Sequence, residues 1–118
     1  MQISVLHSKI HRATVTEAQL DYEGSLGVDS ALMQAAGLVP YQKVLVADVT
    51  NGTRHETYVV PAPANSGSIC VMGAAAHLAK PGDLVIIMAF GLIDAEKAAD
   101  HHPRIVLVNE KNRPKKTL

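Results

Sequence analysis

The Gly24–Ser25 bond is the feature of this sequence with the most unusual chemical potential. Glycine lacks a Cβ atom, so the backbone at Gly24 can adopt strained torsion angles that leave its carbonyl open to attack. The Ser25 hydroxyl follows that carbonyl directly, and an N→O acyl shift would convert the peptide bond into an ester. β-Elimination would then break the chain and leave dehydroalanine, whose hydrolysis gives an N-terminal pyruvoyl group. That ketone is an electron sink that no standard side chain provides.

The composition describes one small, aliphatic and electrically balanced domain. Of the 118 residues, 47% are hydrophobic but only 3% are aromatic, so the core must be built from Val, Ile, Leu and Ala. Eleven basic and eleven acidic residues give a formal net charge of zero, which argues against a dedicated nucleic-acid or membrane-surface binder. A single cysteine excludes an intrachain disulfide. We read no signal peptide or bilayer-spanning run and expect a cytoplasmic protein.

Short apolar segments separated by turn residues predict a mainly β protein with a small closed barrel. The run from Leu84 to Phe90 is almost entirely apolar, which predicts a strand buried on both faces. The polar segment 109–118 is expected to be a flexible tail. The predicted strands cover residues 3–11, 12–16, 44–49, 54–60, 68–72, 84–90 and 104–108.

Two short helices are expected between these strands. Asp29 or Ser30 supplies an N-cap for a helix that continues to Ala36, and Gly37 is its stop signal. A second short helix is predicted over residues 94–100, with its first residue, an aspartate, as the cap. A mainly β chain with a few short helices is therefore the expected fold class.

Several short motifs occur in a fixed order, and together they cover about residues 1 to 108. The motifs are Lys9-Ile10-His11-Arg12-Ala13-Thr14-Val15-Thr16, Tyr22-Glu23-Gly24-Ser25, Ala35-Ala36-Gly37, Asn51-Gly52-Thr53-Arg54, Thr57-Tyr58, Gly73-Ala74-Ala75-Ala76-His77 and Pro81-Gly82-Asp83-Leu84-Val85-Ile86-Ile87. The ordered set closely resembles the aspartate 1-decarboxylase family, pyruvoyl enzymes that make β-alanine for pantothenate synthesis.

The resemblance implies one double-psi β-barrel domain over residues 1–118 that assembles as a homotetramer. It also implies autocatalytic cleavage of an inactive precursor into residues 1–24 and 25–118. Some relatives need a helper protein for this maturation, and the resemblance leaves the need for one open. The substrate would be L-aspartate, and no metal is expected.

The reaction chemistry falls, by the same resemblance, on Ser25 and Tyr58. Loss of CO₂ leaves negative charge on the substrate Cα, and a covalent pyruvoyl group derived from Ser25 would accept it after forming a Schiff base with the substrate amine. Gly24 would become the new C-terminus of the short chain. Tyr58 would return a proton to Cα, a contribution typically worth about 10²–10⁴ in rate.

The family's substrate-binding positions are matched by two cations and four small or hydroxyl residues. A guanidinium can hold one aspartate carboxylate in a bidentate pair and an ammonium can meet the other, each charge-assisted hydrogen bond being worth about 1.5–3 kcal/mol. Which carboxylate meets which cation stays open. His11 and Tyr22 flank the scissile region as supporting candidates. The matched positions are Lys9, Arg54, Thr57, Gly73, Ala74 and Ala75.

Strand alternation raises a difficulty for Thr57, which in the family stabilises the oxyanion formed during self-cleavage. Arg54, Glu56 and Tyr58 should share one face of a strand, whereas Thr57 should point to the other. If both Thr57 and Tyr58 serve one site, the strand must end, bend or bulge there.

Met72 departs from the family pattern, which usually has asparagine immediately before Gly-Ala-Ala-Ala. The exchange removes an amide with two donors and one acceptor and introduces a flexible thioether. Self-processing, substrate orientation or both could change as a result. Our hypothesis is that this chain still cleaves, but more slowly.

Two other functions remain open from the residues alone. Ser25 could act with His11 and Asp29 as a serine hydrolase, although the Gly-x-Ser-x-Gly elbow of many hydrolases is missing. Alternatively, the chain could be a non-processing β-barrel binding subunit that stays intact.

Overall fold

A computed structural model describes all 118 residues, and it confirms a mainly β chain with a few short helices. The helix α1 spans Ser30–Ala36, and two 3₁₀ helices span Gly73–His77 and Ala95–Asp100. None of the helices is long and apolar enough to cross a membrane. The strands are β1 (Gln2–Thr14), β2 (Glu17–Gln19), β3 (Leu26–Asp29), β4 (Lys43–Asp48), β5 (Arg54–Ala62), β6 (Ile69–Met72), β7 (Leu84–Asp94), β8 (Arg104–Val108) and β9 (Pro114–Thr117).

The nine strands form one mixed sheet in the order β2-β6-β3-β5-β4-β7-β1-β8-β9. The pairs β1–β8, β2–β6 and β3–β5 are parallel, and the others are antiparallel. The two end strands, β2 and β9, are only three and four residues long and do not pair with each other. Strand pairing therefore does not close the expected barrel, although the arrangement is compatible with a small barrel-like fold.

The core is aliphatic, as the composition requires. Twenty buried residues form one cluster, and every one of them is Val, Ile, Leu, Ala or Met. Burial of this apolar area is the main favourable contribution to folding. The sheet wraps this cluster, and α1 adds Leu32, Met33 and Ala36 to it.

The prediction that residues 84–90 are buried on both faces is wrong. Strand β7 extends to Asp94, and along its first half one face is buried at Val85, Ile87 and Ala89. The opposite face is only partly covered, and Phe90 is 48% exposed. The apolar run therefore reflects a strand with one buried face and one partly exposed face.

The two predicted helices have different outcomes. Helix α1 begins as expected, because the Asp29 side chain accepts a hydrogen bond from the Ala31 N–H at 2.9 Å, and it ends at Gly37 with φ 75°. The second element is a 3₁₀ helix over Ala95–Asp100, and Asp94 makes no side-chain capping hydrogen bond there. Asp94 therefore directly precedes this helix but does not cap it.

The polar segment 109–118 contributes a short strand and a buried amide to the structure. Strand β9 pairs antiparallel with β8. Asn112 is 1% exposed, accepts a hydrogen bond from the Thr14 N–H at 2.7 Å and donates to the Thr14 and Gly67 carbonyls at 2.8 Å each. These contacts use backbone and amide groups, so a polar composition did not reveal them.

Asp29 joins the end of β3 to the loop that precedes β6. Its carboxylate is almost fully buried and accepts hydrogen bonds from the N–H groups of Ala31, Asn65 and Gly67 at 2.9–3.0 Å. Burial alone would raise the pKa of this carboxyl, but the backbone N–H groups outweigh burial and lower the pKa below its usual value. The ionised form of Asp29 therefore stabilises the fold.

Replacing Asp29 with asparagine should lower the free energy of unfolding by about 2–3 kcal/mol at neutral pH, because the charge that strengthens these hydrogen bonds is removed. The folded pKa lies below the unfolded one, so the wild-type contribution is complete above the ordinary aspartate pKa of about 3.9 and is lost as pH falls through the folded pKa. Chemical denaturation at neutral and acidic pH measures both effects. Asp100→Asn, at an exposed aspartate, is the matched control, and an equal loss in both variants would contradict the assignment.

Candidate active site

The Gly24–Ser25 bond borders the largest of five surface cavities, with a volume of about 560 Å³. Its walls come from the irregular segment before β3, from β5 and from the end of β6. The lining residues are Asp21, Tyr22, Glu23, Gly24, Ser25, Tyr58, Val60 and Met72.

Strand register explains why these residues meet. Ser25 immediately precedes β3, which lies between β5 and β6. Parallel pairing of β3 with β5 places Ser25 beside Tyr58, and antiparallel pairing of β3 with β6 places it beside Met72. The Met72 N–H donates a hydrogen bond to the Ser25 carbonyl at 3.1 Å. Backbone pairing therefore brings Ser25, Tyr58 and Met72 together at this cavity.

The backbone at the predicted scissile bond is strained. Gly24 has φ 118°, a value that L-residues rarely adopt. Ser25 has φ 88° and is 8% exposed, and such a conformation in a non-glycine residue typically costs about 1–3 kcal/mol. The surrounding strands hold Ser25 in this conformation.

The glycine–alanine run forms the 3₁₀ helix Gly73–His77 directly after β6. Gly73 is buried against the backbone of Gly24, whereas Ala74 is exposed and Ala75 packs against the core. Gly73 therefore lies directly against the segment that contains the predicted scissile bond.

The two cations matched to substrate binding lie outside the cavity. Lys9 pairs with Met88, Met88 with Leu45, and Leu45 with Glu56, so these four residues form one row across the sheet. Three strand spacings separate the ends of that row, roughly 14 Å at about 4.8 Å per strand. Arg54 lies two residues from Glu56 on the same strand face. Lys9 and Arg54 of one chain therefore lie on strands that two other strands separate, and neither lines the cavity beside Ser25.

Thr57 and Tyr58 lie on opposite faces of β5. The pairing of β5 with β4 runs without a register shift from Arg54 to Tyr58, so the strand does not bulge. Tyr58 is 39% exposed and lines the cavity, with the Tyr41 ring centroid 6.2 Å from its own. Thr57 is half-buried and does not line the cavity.

The three residues of the hydrolase alternative do not come together. His11 borders a separate cavity of about 460 Å³ between β1 and β8, whereas Ser25 lines the first cavity. Burial and the charges of Lys9 and Arg12 lower the pKa of His11, which favours a neutral imidazole. The Asp29 carboxylate is occupied by three backbone N–H groups. This geometry gives no support to a Ser25–His11–Asp29 triad.

Three lining residues were not among the predicted site residues. Val60 follows Tyr58 by two positions, so strand alternation could have identified it. Asp21 and Glu23 are exposed acids in the irregular segment before the scissile bond, and only their proximity in sequence pointed to them. No group of three or more His, Cys, Asp or Glu side chains is arranged to hold a metal ion.

A protein-family model described as aspartate decarboxylase matches residues 1–115 of the chain. The chain belongs to this family. Curated relatives named aspartate 1-decarboxylase include that of Acetivibrio thermocellus, 52% identical over 113 residues, or 96% of this chain and 90% of the relative. The relative from Dehalococcoides mccartyi is 54% identical over 92% of this chain and 88% of its own length, and the Leptospira biflexa relative is 51% identical over 98% and 99%.

Membership of the aspartate decarboxylase family confirms the resemblance drawn from the ordered motifs. It also confirms the expectation of an enzyme, a carboxy-lyase. In this member of the aspartate decarboxylase family, Ser25 and Tyr58 line one cavity with Tyr22 and Met72, while Lys9, His11, Arg54 and Thr57 lie elsewhere on the same chain.

Proposed function

We propose that this chain converts L-aspartate to β-alanine and CO₂ with a covalent pyruvoyl group made from Ser25 by self-cleavage after Gly24. The observation that carries the proposal is the strained Gly24–Ser25 bond, held beside Tyr58 at a cavity large enough for a small amino acid. Family membership supports the decarboxylation. We further propose that the product serves pantothenate synthesis in the cytoplasm, as the family resemblance implies.

The residues around Ser25 fit a pyruvoyl group. It would replace Ser25 at the same backbone position, on the wall of a cavity of about 560 Å³ and next to the Tyr58 ring. When present, the group supplies an electron sink for the charge left by CO₂. The chain itself keeps that position largely away from water, because Ser25 is only 8% exposed.

Tyr58 is the proposed proton donor. Its phenol lines the cavity beside Ser25 and can hold a proton at Oη and deliver it to the substrate Cα. The packing of Tyr41 against its ring, with centroids 6.2 Å apart, restricts where that hydroxyl can lie. Tyr22 is the second phenol of the cavity, but it is 61% exposed, which makes it the less constrained of the two.

A substrate with two carboxylates is bound best by cations, and no Lys or Arg lines this cavity. Asp21 and Glu23, which line it, would repel aspartate. We propose that the chain forms a homotetramer in which a neighbouring copy completes the site with Lys9 or Arg54. The outer face of β7 supports this, because Phe90 is 48% exposed there, an apolar surface typical of interfaces.

The roles of the remaining matched residues are proposals of the same kind. Gly73, Ala74 and Ala75 would offer backbone N–H donors and space beside the cavity. Thr57 would contact the oxyanion formed during cleavage only if β5 moved, since it now faces away from the cavity. His11 would support this site only from a neighbouring copy, because within one chain it lines a different cavity.

The wild-type chain should separate on denaturing mass analysis into residues 1–24 and 25–118, with the larger fragment blocked to Edman sequencing. Ser25→Ala should stay intact and should not be trapped by borohydride with labelled aspartate, because it has no hydroxyl to attack Gly24. Ser4→Ala, at an exposed serine of β1, is the matched control and should cleave normally. An intact wild-type chain with full activity would refute the proposal, and labelling of Ser25 by a fluorophosphonate would favour a hydrolase.

Tyr58→Phe should slow decarboxylation by about 10²–10⁴ because the ring remains but the acidic proton is lost. Cleavage of the chain should persist, since the backbone around Ser25 is unchanged. Steady-state β-alanine formation and intact mass measure the two effects. Tyr41→Phe keeps the ring pair and should retain wild-type activity. Unchanged decarboxylation by Tyr58→Phe would remove Tyr58 from the proposed role.

Met72→Asn should accelerate cleavage, up to about fivefold for a cap worth about 1 kcal/mol. Met72 occupies the N-cap position of the 3₁₀ helix that carries Gly73, with an extended φ of −118°, but its side chain makes no capping hydrogen bond. An asparagine amide oxygen could accept one and hold that helix in place. A time course of intact mass compares this variant with Met72→Leu, which should match the wild type. Slower cleavage by the asparagine variant would contradict the expectation.

A further inference from the structure

Gly73 lies against the backbone of the scissile segment. A Cβ atom built on Gly73 would be 2.6 Å from the Gly24 Cα, 2.8 Å from the Gly24 nitrogen and 3.1 Å from the Tyr22 carbonyl oxygen. Cβ atoms essentially never approach other heavy atoms closer than 3.0 Å. All three neighbours are backbone atoms, so they cannot yield by a side-chain rotation. Any larger residue at position 73 would displace Gly24.

The Met72–Gly73 unit restrains both sides of the scissile bond. On one side Gly73 limits the position of Gly24, and on the other the Met72 N–H holds the Ser25 carbonyl at 3.1 Å. Ser25 retains a φ of 88° between these two restraints. A conformation this unfavourable persists only where its surroundings impose it.

We propose that Gly73 is a positioning residue for self-cleavage, because the absence of its side chain lets Gly24 sit where the Ser25 hydroxyl can attack. This inference rests on the self-cleavage proposed above. It assigns Gly73 a role before any substrate binds. A misplacement of reacting atoms by about 1 Å can reduce a rate about 100-fold.

The bond changes that Gly73 would assist need no oxidant. The Ser25 Oγ attacks the Gly24 carbonyl carbon, the C–N bond breaks as the C–O bond forms, and the hydroxyl proton passes to the freed amine. The Ser25 Cα then loses a proton to water, the Cβ–Oγ bond breaks and Gly24 leaves as a carboxylate. One water molecule replaces the amine nitrogen, which departs as ammonia.

Gly73→Ala should cleave about 100-fold more slowly than the wild type, measured by intact mass over time after synthesis. Two other glycines provide matched controls. Gly52 and Gly82 also have positive φ values, 81° and 94°, but no atom lies within 4 Å of a Cβ built on either. Their alanine variants carry a similar backbone cost without the contact, so they should cleave at nearly the wild-type rate.

A destabilised variant away from the cavity separates cleavage from general stability. Asn112→Ala loses three side-chain hydrogen bonds, all to Thr14 and Gly67, and it should cleave normally despite a lower Tm. Gly73→Asn adds a Cβ of the same geometry, and asparagine tolerates positive φ better than alanine. Gly73→Asn takes the place of Gly73→Ala in this test if the alanine variant does not fold. Circular dichroism against uncut Ser25→Ala establishes folding.

The outcomes separate this inference from the proposed function. A folded Gly73 variant that cleaves about 100-fold more slowly or not at all, beside glycine controls that cleave normally, supports the positioning role. Cleavage of the Gly73 variants at the wild-type rate overturns it and leaves the proposed function standing. Loss of fold in both Gly73 variants, with folded controls, also overturns it, because the contact would then serve the whole fold. An uncut wild-type chain defeats the proposed function itself.

Discussion

The site depends on the contact between two backbone segments, one ending at Ser25 and the other passing through Gly73. The Met72 N–H donates a hydrogen bond to the Ser25 carbonyl. Gly73 packs so closely against Gly24 that a Cβ atom at position 73 would not fit. Neither restraint uses a reactive side chain. Main-chain geometry thus holds Ser25 in place, which explains how a small aliphatic protein can maintain a strained peptide unit.

Strand β3 connects Ser25 to the rest of the sheet. It is four residues long, entirely buried and paired on both edges, in parallel with β5 and antiparallel with β6. Asp29 at its end is fixed by three backbone N–H groups and also caps α1. Ser25, which directly precedes β3, is therefore followed by a strand that is paired on both edges, whereas the preceding segment 21–23 is exposed.

Local patterns in the sequence predicted most of the fold. The cap at Asp29, the stop at Gly37 and the runs of β-branched residues gave α1 and most of the strands, because capping and strand formation depend on neighbouring residues. The burial of both faces that was expected for 84–90 was wrong, and the contacts of the polar segment 109–118 were not visible in its composition. Whether Phe90 is covered and whether Asn112 finds partners are decided by distant segments.

The candidate site was predictable to the extent that it follows from motif order. Ser25, Tyr58 and Met72 meet through registers that no single strand encodes, yet their motifs identified them. Thr57 shows the limit, because alternation already placed it away from Tyr58 and the unbroken register of β5 keeps it there. Lys9 and Arg54 are separated by three strand spacings, a distance that depends on the strand order, and no pattern within β1 or β5 specifies that order.

The central location of β1 has a consequence for a protein cut after Gly24. The thirteen residues of β1 belong to the shorter piece, and they pair with β7 along the strand and with β8 at Ser8–His11. Asn112 joins the end of β1 to the longer piece through hydrogen bonds with Thr14. Cleavage after Gly24 would therefore not release the shorter piece from the folded protein. The two polypeptides would unfold together as one unit, but once separated they would have to find each other by diffusion, so recovery after denaturation would become dependent on concentration.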